Sequence, residues 1–226
     1  MRLLVSVRDV RDARAAVRGG ADIVDAKDPR RGALGPVTPR ILACIRSAVP
    51  SAIPVSAALG DAAAERAVPR GAAYVKVGLR DVGGARRARS LVHRVVQRAI
   101  EAGAELVLVA YADCARARSL PPLAVVEIAA AGGARGVLLD TAFKNRGSLF
   151  ELLDVARVAQ WLAAAHGVGL FTALAGSLSE PGLRTALALG ADIVGVRGAA
   201  CDGGRMGRVS VSRVRALSAL VAAAVA

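Results

Sequence analysis

A lysine amine can do what an arginine guanidinium cannot: it can shed its proton, attack a carbonyl carbon and hold the product as an imine. Of the 31 basic residues in this chain of 226, 28 are Arg and only 3 are Lys: Lys27, Lys76 and Lys144. A chain that fills almost every basic position with Arg keeps Lys where Arg will not serve. Lys27 closes the run Ile23-Val24-Asp25-Ala26-Lys27, Lys76 sits inside Tyr74-Val75-Lys76-Val77-Gly78, and Lys144 follows Leu139-Asp140-Thr141-Ala142-Phe143. A lone charge buried in an apolar strand is unfavourable. Each lysine therefore either pairs with an acid such as Asp25 or Asp140, or titrates low. A free lysine titrates near ~10.4 and is under ~0.1% neutral at pH 7. Lysines around one cavity depress that value in one another, because each disfavours the charge on the next. A depressed lysine attacks a carbonyl to form a Schiff base, and a neighbouring Lys and Asp then move protons on and off the adjacent carbon and oxygen. The competing reading is structural: buried salt bridges of Lys27 with Asp25 and of Lys144 with Asp140.

These residues meet only if the elements carrying them converge. Short Val/Ile/Leu-rich runs predict strands over Leu3–Val7, Asp22–Lys27, Pro54–Leu59, Ala73–Leu79, Leu106–Tyr111, Gly136–Thr141, Leu170–Ala175 and Asp192–Arg197. Amphipathic stretches predict helices over Asp9–Gly19, Thr38–Val49, Ala62–Pro69, Gly84–Ala102, Pro122–Ala131, Leu149–Gly167, Glu180–Leu189 and Ser210–Ala224. Several helices run into the next strand through a Gly-Ala step, as in Gly19-Gly20-Ala21-Asp22 and Gly190-Ala191-Asp192, where glycine closes the helix in the left-handed conformation. Eight strand–helix units in one short chain point to α/β architecture as a single (β/α)8 TIM barrel over residues 1–226. An open doubly wound sheet would want a GxGxxG turn after its first strand, and Val7-Arg8-Asp9-Val10 is unlike that.

In this architecture chemistry collects at the C-terminal ends of the strands. Asp25 and Lys27 are two apart and share a strand face, as do Tyr74, Lys76 and Gly78. Asp140 ends the sixth strand and Lys144 lies in the loop after it. The candidate catalytic set is thus Lys27, Lys76, Asp140, Lys144 and Asp25. Small residues follow strands seven and eight, where this fold commonly holds phosphate. Gly176, Ser177, Arg197, Gly198 and Ala199 are the candidate phosphate contacts. The loop Asp28–Gly35, with Arg30 and Arg31, is a second phosphate grip or a lid. Tyr111 and Asp113 stand at the right end to reach the site, and Asp61 is read as the N-cap of the third helix. His93 and His166 read as surface or packing residues, Trp161 and Phe150 as packing, and Cys201 as small-residue filler.

Composition sets bounds. The net charge of +13 suits phosphorylated metabolites. Nucleic acid is disfavoured, because the arginines are scattered and aromatics are only 3%. No apolar run reaches the ~18 residues of a membrane span. Charges at Arg8, Asp9, Arg11 and Asp12 interrupt the apolar start before a signal peptide could form. Cys44, Cys114 and Cys201 show no metal spacing and read as free thiols in a reducing compartment. The expectation is a cytosolic protein acting on a small phosphorylated molecule, with no metal, cofactor, nucleic acid or membrane partner, and with room for a homo-oligomer.

Leu3-Leu4-Val5-Ser6, Gly20 to Lys27, Tyr74 to Leu79, Leu139 to Lys144, Ala173 to Ser177 and Asp192 to Cys201 resemble blocks of the (5-formylfuran-3-yl)methyl phosphate synthase family, also called 4-(hydroxymethyl)-2-furancarboxaldehyde-phosphate synthase. The blocks run nearly end to end; the short stretch between strands three and four departs from the pattern. The resemblance implies a lyase of the class I aldolase kind. It would condense two molecules of glyceraldehyde 3-phosphate, with loss of water and one phosphate, into a furan precursor of methanofuran, a carrier of one-carbon metabolism. It also implies that Lys27 is the Schiff-base residue, that Lys76 accepts a proton, and that Asp140 and Lys144 line the site. An aldolase or sugar-phosphate isomerase of other specificity shares these features.

Overall fold

Eight parallel strands close on themselves in chain order: β1 (Arg2–Val7), β2 (Ile23–Ala26), β3 (Val55–Asp61), β4 (Tyr74–Gly78), β5 (Glu105–Tyr111), β6 (Gly136–Asp140), β7 (Phe171–Leu174) and β8 (Ile193–Val196). The last pairs with the first, Leu3 opposite Val194 and Val5 opposite Val196. The structure, a computed structural model, describes residues 1–62 and 67–223. The expected barrel stands, and its strands fall within a few residues of the predicted ones. The helix expected over Ala62–Pro69 falls largely on residues 63–66, outside the described residues. No helix among the described residues is long and apolar enough to cross a membrane.

The helices packed outside are α1 (Val10–Gly19), α2 (Pro39–Ala48), α3 (Ala85–Ala102), α4 (Pro122–Ala131), α5 (Leu149–Leu152), α6 (Val155–Gly167), α7 (Glu180–Ala188) and α8 (Val211–Ala223). Local chemistry sets their ends. Asp9 caps α1 by accepting from the Asp12 amide, Thr38 caps α2 ahead of Pro39, and Gly20 ends α1 at φ 91°. The single helix expected over Leu149–Gly167 is two. A capping box between Ser148 and Glu151 starts α5, Leu153 turns extended, and Asp154 opens α6 by accepting from the Arg157 amide. The apolar periodicity carries across the break, so it conceals a cap that the hydrogen bonds reveal.

Strand alternation sorts the interior into two layers. Val5, Val24, Ala26, Val75, Val77, Leu106, Leu108, Val137 and Val194 face the helices in one core. Ile23, Ala58, Val107, Val109, Leu138, Ala173 and Ile193 fill the barrel itself. Asp25, Lys76 and Asp140 share the inward parity of Ile23, Ala58 and Leu138. An inward position near the C-terminal rim is the one place in these strands where a charge meets a cavity instead of a helix. The loop after β8 is more than a connection. Its ends pair as the short antiparallel strands β9 (Cys201–Asp202) and β10 (Arg208–Val209), and Arg205 rides on the turn between them. Any residue but Gly at 207 would put a Cβ 1.7 Å from the Asp202 carbonyl oxygen, so the turn closes only on glycine.

Candidate active site

A cavity of about 400 Å³ opens at the C-terminal end of the barrel, within the range of small-molecule sites. Lys27, Lys76, Asp140 and Lys144 all line it, from β2, β4, β6 and the loop after β6. Asp25 lies fully buried beside it, and Ser6 and Ser56 contribute hydroxyls. Asp25 stands level with Ser6 on β1 and Ser56 on β3 in the strand register. The structure thus brings together all five candidate catalytic residues.

Their pairing differs from the structural alternative in one decisive respect. Asp25 pairs with Lys76, Nζ to Oδ1 2.6 Å, and accepts from Ser6 Oγ at 2.9 Å through its other oxygen. Asp140 pairs with Lys144, and it also accepts from the Thr141 amide at 2.8 Å. Lys27, only 6% exposed, has no ion-pair partner among the described residues. Burial is the main reason its amine is lowered from 10.5 to about 7; the Lys76 ammonium adds to the effect, Lys144 adds less, and Asp25 and Asp140 offset part of it. Burial would raise both carboxyls, but Lys76 and Lys27 hold Asp25 below the usual range, and Lys144 and Lys27 do the same for Asp140. Burial also pushes Lys144 down, against the pull of Asp140. Two lysines are matched by two carboxylates, and the third is a buried amine that is about half neutral at pH 7. Ser56 Oγ is buried with no hydrogen-bond partner among the described residues, an open valence on the cavity wall.

The candidate phosphate residues line the same cavity. Among the described residues the amides of Gly176, Ser177, Gly198 and Ala199 donate to no protein acceptor. Ser177 holds φ 52° and Gly176 φ 108°, a tight left-handed turn after β7. Arg197 is different. Its Nε donates to the Arg205 carbonyl, Nη1 to the Ser6 carbonyl and Asp12, and Nη2 to Asp12 and the Gly207 carbonyl. All five of its N–H donors are committed to the fold, so its side chain clamps the loop after β8 onto β1 and α1.

Other expectations sort by the same geometry. Asp113 accepts from the Ala142 and Phe143 amides at 2.7 and 3.0 Å, so it shapes the loop that carries Lys144. Tyr111 and Asp61 bond to each other, and Asp61 also pairs with Arg80. Asp61 therefore ties the ends of β3, β4 and β5 together; the helix that it was read as capping falls largely outside the described residues. Gly78 makes room for that tie: a Cβ there would lie 2.1 Å from Asp61 Oδ1 and 2.2 Å from Tyr111 Oη. His166 bonds to Asp192 and Thr172, away from the cavity. Cys201 is buried in β9, and burial raises its thiol. Loop 28–35 puts Arg30 on Asp28 and Arg31 on the Pro36 carbonyl. Sequence reading missed Arg205, which lines the cavity from the turn after β8. Among 28 arginines nothing in its neighbours marks it out; its place depends on the β9–β10 hairpin.

Comparison with known proteins bears on the family of the chain. A family model described as 4-HFC-P synthase matches residues 3–218. The (5-formylfuran-3-yl)methyl phosphate synthase of Methanocaldococcus jannaschii is 39% identical over 233 residues, covering 97% of this chain and 99% of its own. That of Methanothermobacter thermautotrophicus is 38% identical over 234 residues, covering 98% and 99%. The crystal structure of phosphoribosyl anthranilate isomerase from Thermus thermophilus superposes with a TM-score of 0.65 at 16% identity over 99% of each chain, a likeness of fold alone. A family model spanning nearly the whole chain, and relatives this similar along their full length, show that the chain belongs to the (5-formylfuran-3-yl)methyl phosphate synthase family.

Proposed function

We propose that this enzyme is a lyase that condenses two molecules of glyceraldehyde 3-phosphate into (5-formylfuran-3-yl)methyl phosphate through an imine on Lys27, for methanofuran biosynthesis. One observation carries the reading: a buried lysine without an ion-pair partner, lowered to about 7, between two ion-paired lysines. Neutral at working pH and buried in the cavity, the Lys27 amine attacks the carbonyl of the first substrate once that glyceraldehyde 3-phosphate has isomerised to its ketose, one hydrogen passing from C2 to C1 and one from O2 to O1. The carbinolamine hydroxyl leaves as water with a proton from the Lys76 ammonium, which leaves a protonated imine and a neutral Lys76. Lys76 then takes the proton from the adjacent carbon, regains its charge and leaves an enamine. The buried Asp25 carboxylate stabilises the charged form of Lys76 at both ends of this cycle. The enamine carbon bonds to the aldehyde carbon of the second substrate, and Lys144 protonates the resulting alkoxide. Asp140 and Lys144 serve the later losses of water and phosphate. The free amides of Gly176, Ser177, Gly198 and Ala199 suit the phosphate of the first substrate. The net charge of +13 draws both anions to the barrel mouth. A reducing cytosol suits the three free cysteines.

Incubation with glyceraldehyde 3-phosphate and borohydride tests this. The expected result is one stable adduct, located on Lys27 by mass spectrometry, and a product with the near-ultraviolet absorption of a furan. An adduct with an aldol product and no furan would assign the chain a different specificity. No adduct on Lys27 would end the imine mechanism.

A further inference from the structure

Charges around the cavity match off in pairs. Lys76 meets Asp25, Lys144 meets Asp140 and Arg197 meets Asp12. Lys27 is left to act as an amine. One full cation then remains on the cavity wall: the Arg205 guanidinium has no carboxylate paired with it among the described residues.

Arg205 is built to stay there. Its carbonyl accepts from Arg197 Nε at 2.9 Å, the next carbonyl, of Met206, accepts from Arg8 Nη1 at 2.9 Å, and β9 and β10 close the turn. From this fixed base the side chain reaches toward the β2 loop, where Nη2 donates to the Gly32 carbonyl at 2.8 Å. That bond uses one of five N–H donors and leaves the rest of the fork for a ligand. Asp140 and Lys144 both feel its charge from the β6 side. Burial pushes Arg205 below its ordinary value, so a guanidinium with no carboxylate partner among the described residues is a destabilised cation that an anion would relieve. The free amides of the loops after β7 and β8 occupy one part of the rim. Arg205 starts beside them, its backbone nitrogen 3.7 Å from where a Cβ at Gly198 would lie, and carries its head group to the Gly32 carbonyl.

We propose that Arg205 binds the phosphate of the second substrate with the donors its bond to Gly32 leaves free, while the backbone cradle takes the first. The fork of an arginine matches phosphate geometry. This assignment rests on the two-phosphate reading above and deepens it.

Arg205→Gln tests it, with Arg205→Lys as the companion that keeps charge but loses the fork. The first substrate does not need Arg205, so borohydride trapping at Lys27 is expected within about twofold of wild type in both variants. KM for glyceraldehyde 3-phosphate in furan formation should rise about tenfold to a hundredfold in Arg205→Gln, as for loss of one or two hydrogen bonds to a charged group. Inhibition by inorganic phosphate should weaken by a similar factor, and Arg205→Lys should recover part of both. Unchanged KM and unchanged phosphate inhibition would overturn the proposal and leave Arg205 a loop tie. Trapping and condensation falling together would also overturn it, by assigning Arg205 to the first substrate. If wild type forms no Lys27 adduct, the imine reading fails separately; calorimetric titration with inorganic phosphate still decides the Arg205 site, which stands only if Arg205→Gln weakens binding.

Discussion

Replacing Lys76 by Gln should move the pH dependence of the Lys27 amine upward, and the size of the move follows from the site. The substitution removes the ammonium that most depresses Lys27 after burial, and it leaves the Asp25 carboxylate without its partner. Both changes favour a charged Lys27. A single nearby charge shifts a titration by about 1–3 units, so the midpoint should rise from about 7 to roughly 8–10. The neutral fraction at pH 7 then falls from about half by roughly fivefold to five hundredfold, and it recovers as pH rises. The assay is the initial rate of borohydride-trapped adduct at Lys27 from pH 6 to pH 10, followed by mass spectrometry with a saturating aldehyde. Removing one partner of a buried pair also destabilises the fold by about 3–5 kcal/mol, so circular dichroism must first show a folded variant. Lys76→Arg is the control: it keeps the charge, and its trapping midpoint should stay near that of wild type while furan formation collapses, because guanidinium does not give up a proton. A midpoint in Lys76→Gln that stays put or moves down would refute the electrostatic account of Lys27.

Other consequences follow from the same geometry. Lys27 has a lowered folded-state value, so its contribution to stability is unfavourable below about pH 7 and fades as pH rises toward its unfolded value of 10.5. Lys27→Met should therefore raise the thermal midpoint most at pH 6 and least near pH 10, with an upper bound of about 5 kcal/mol from the size of the shift; a gain that grows with pH would contradict the sign. Gly78→Ala should lower stability by about 1–3 kcal/mol through the clash with Asp61 and Tyr111, read by urea unfolding. Arg197→Ala should cost about 1–3 kcal/mol, because Asp12 keeps Arg8 and Arg208 while the Ser6 and Gly207 carbonyls lose their guanidinium donor, whereas Arg205→Gln should leave the unfolding midpoint nearly unchanged.

The fold class was legible in residue types and local periodicity, and so were the groups proposed to react. Alternating runs mark the eight strands and, among the described residues, the helices that follow all of them but β3, because strand and helix periods are local properties of the chain. Lys27, Lys76 and Lys144 stood out by chemical type, since amine and guanidinium differ in what they can do wherever they sit. Face-sharing within one strand placed Lys27 and Lys76 at the rim, because side chains alternate across a strand whatever lies next to it. Tertiary structure decided the pairing. Asp25 sits two residues from Lys27, yet its ion pair is with Lys76, two strands away, since closure of the barrel brings β2, β3 and β4 side by side and aims their inward side chains at one axis. That choice leaves Lys27 without an ion-pair partner among the described residues, and burial with the nearby Lys76 ammonium lowers its amine. The same closure committed Arg197 to Asp12 and exposed Arg205 to the cavity, two arginines of one loop with opposite fates. The break between α5 and α6 was hidden as well, because an apolar stripe continues through a cap that only its hydrogen bonds define. Residue type and period are written locally; which charges cancel depends on neighbours that the chain brings together only when the barrel closes.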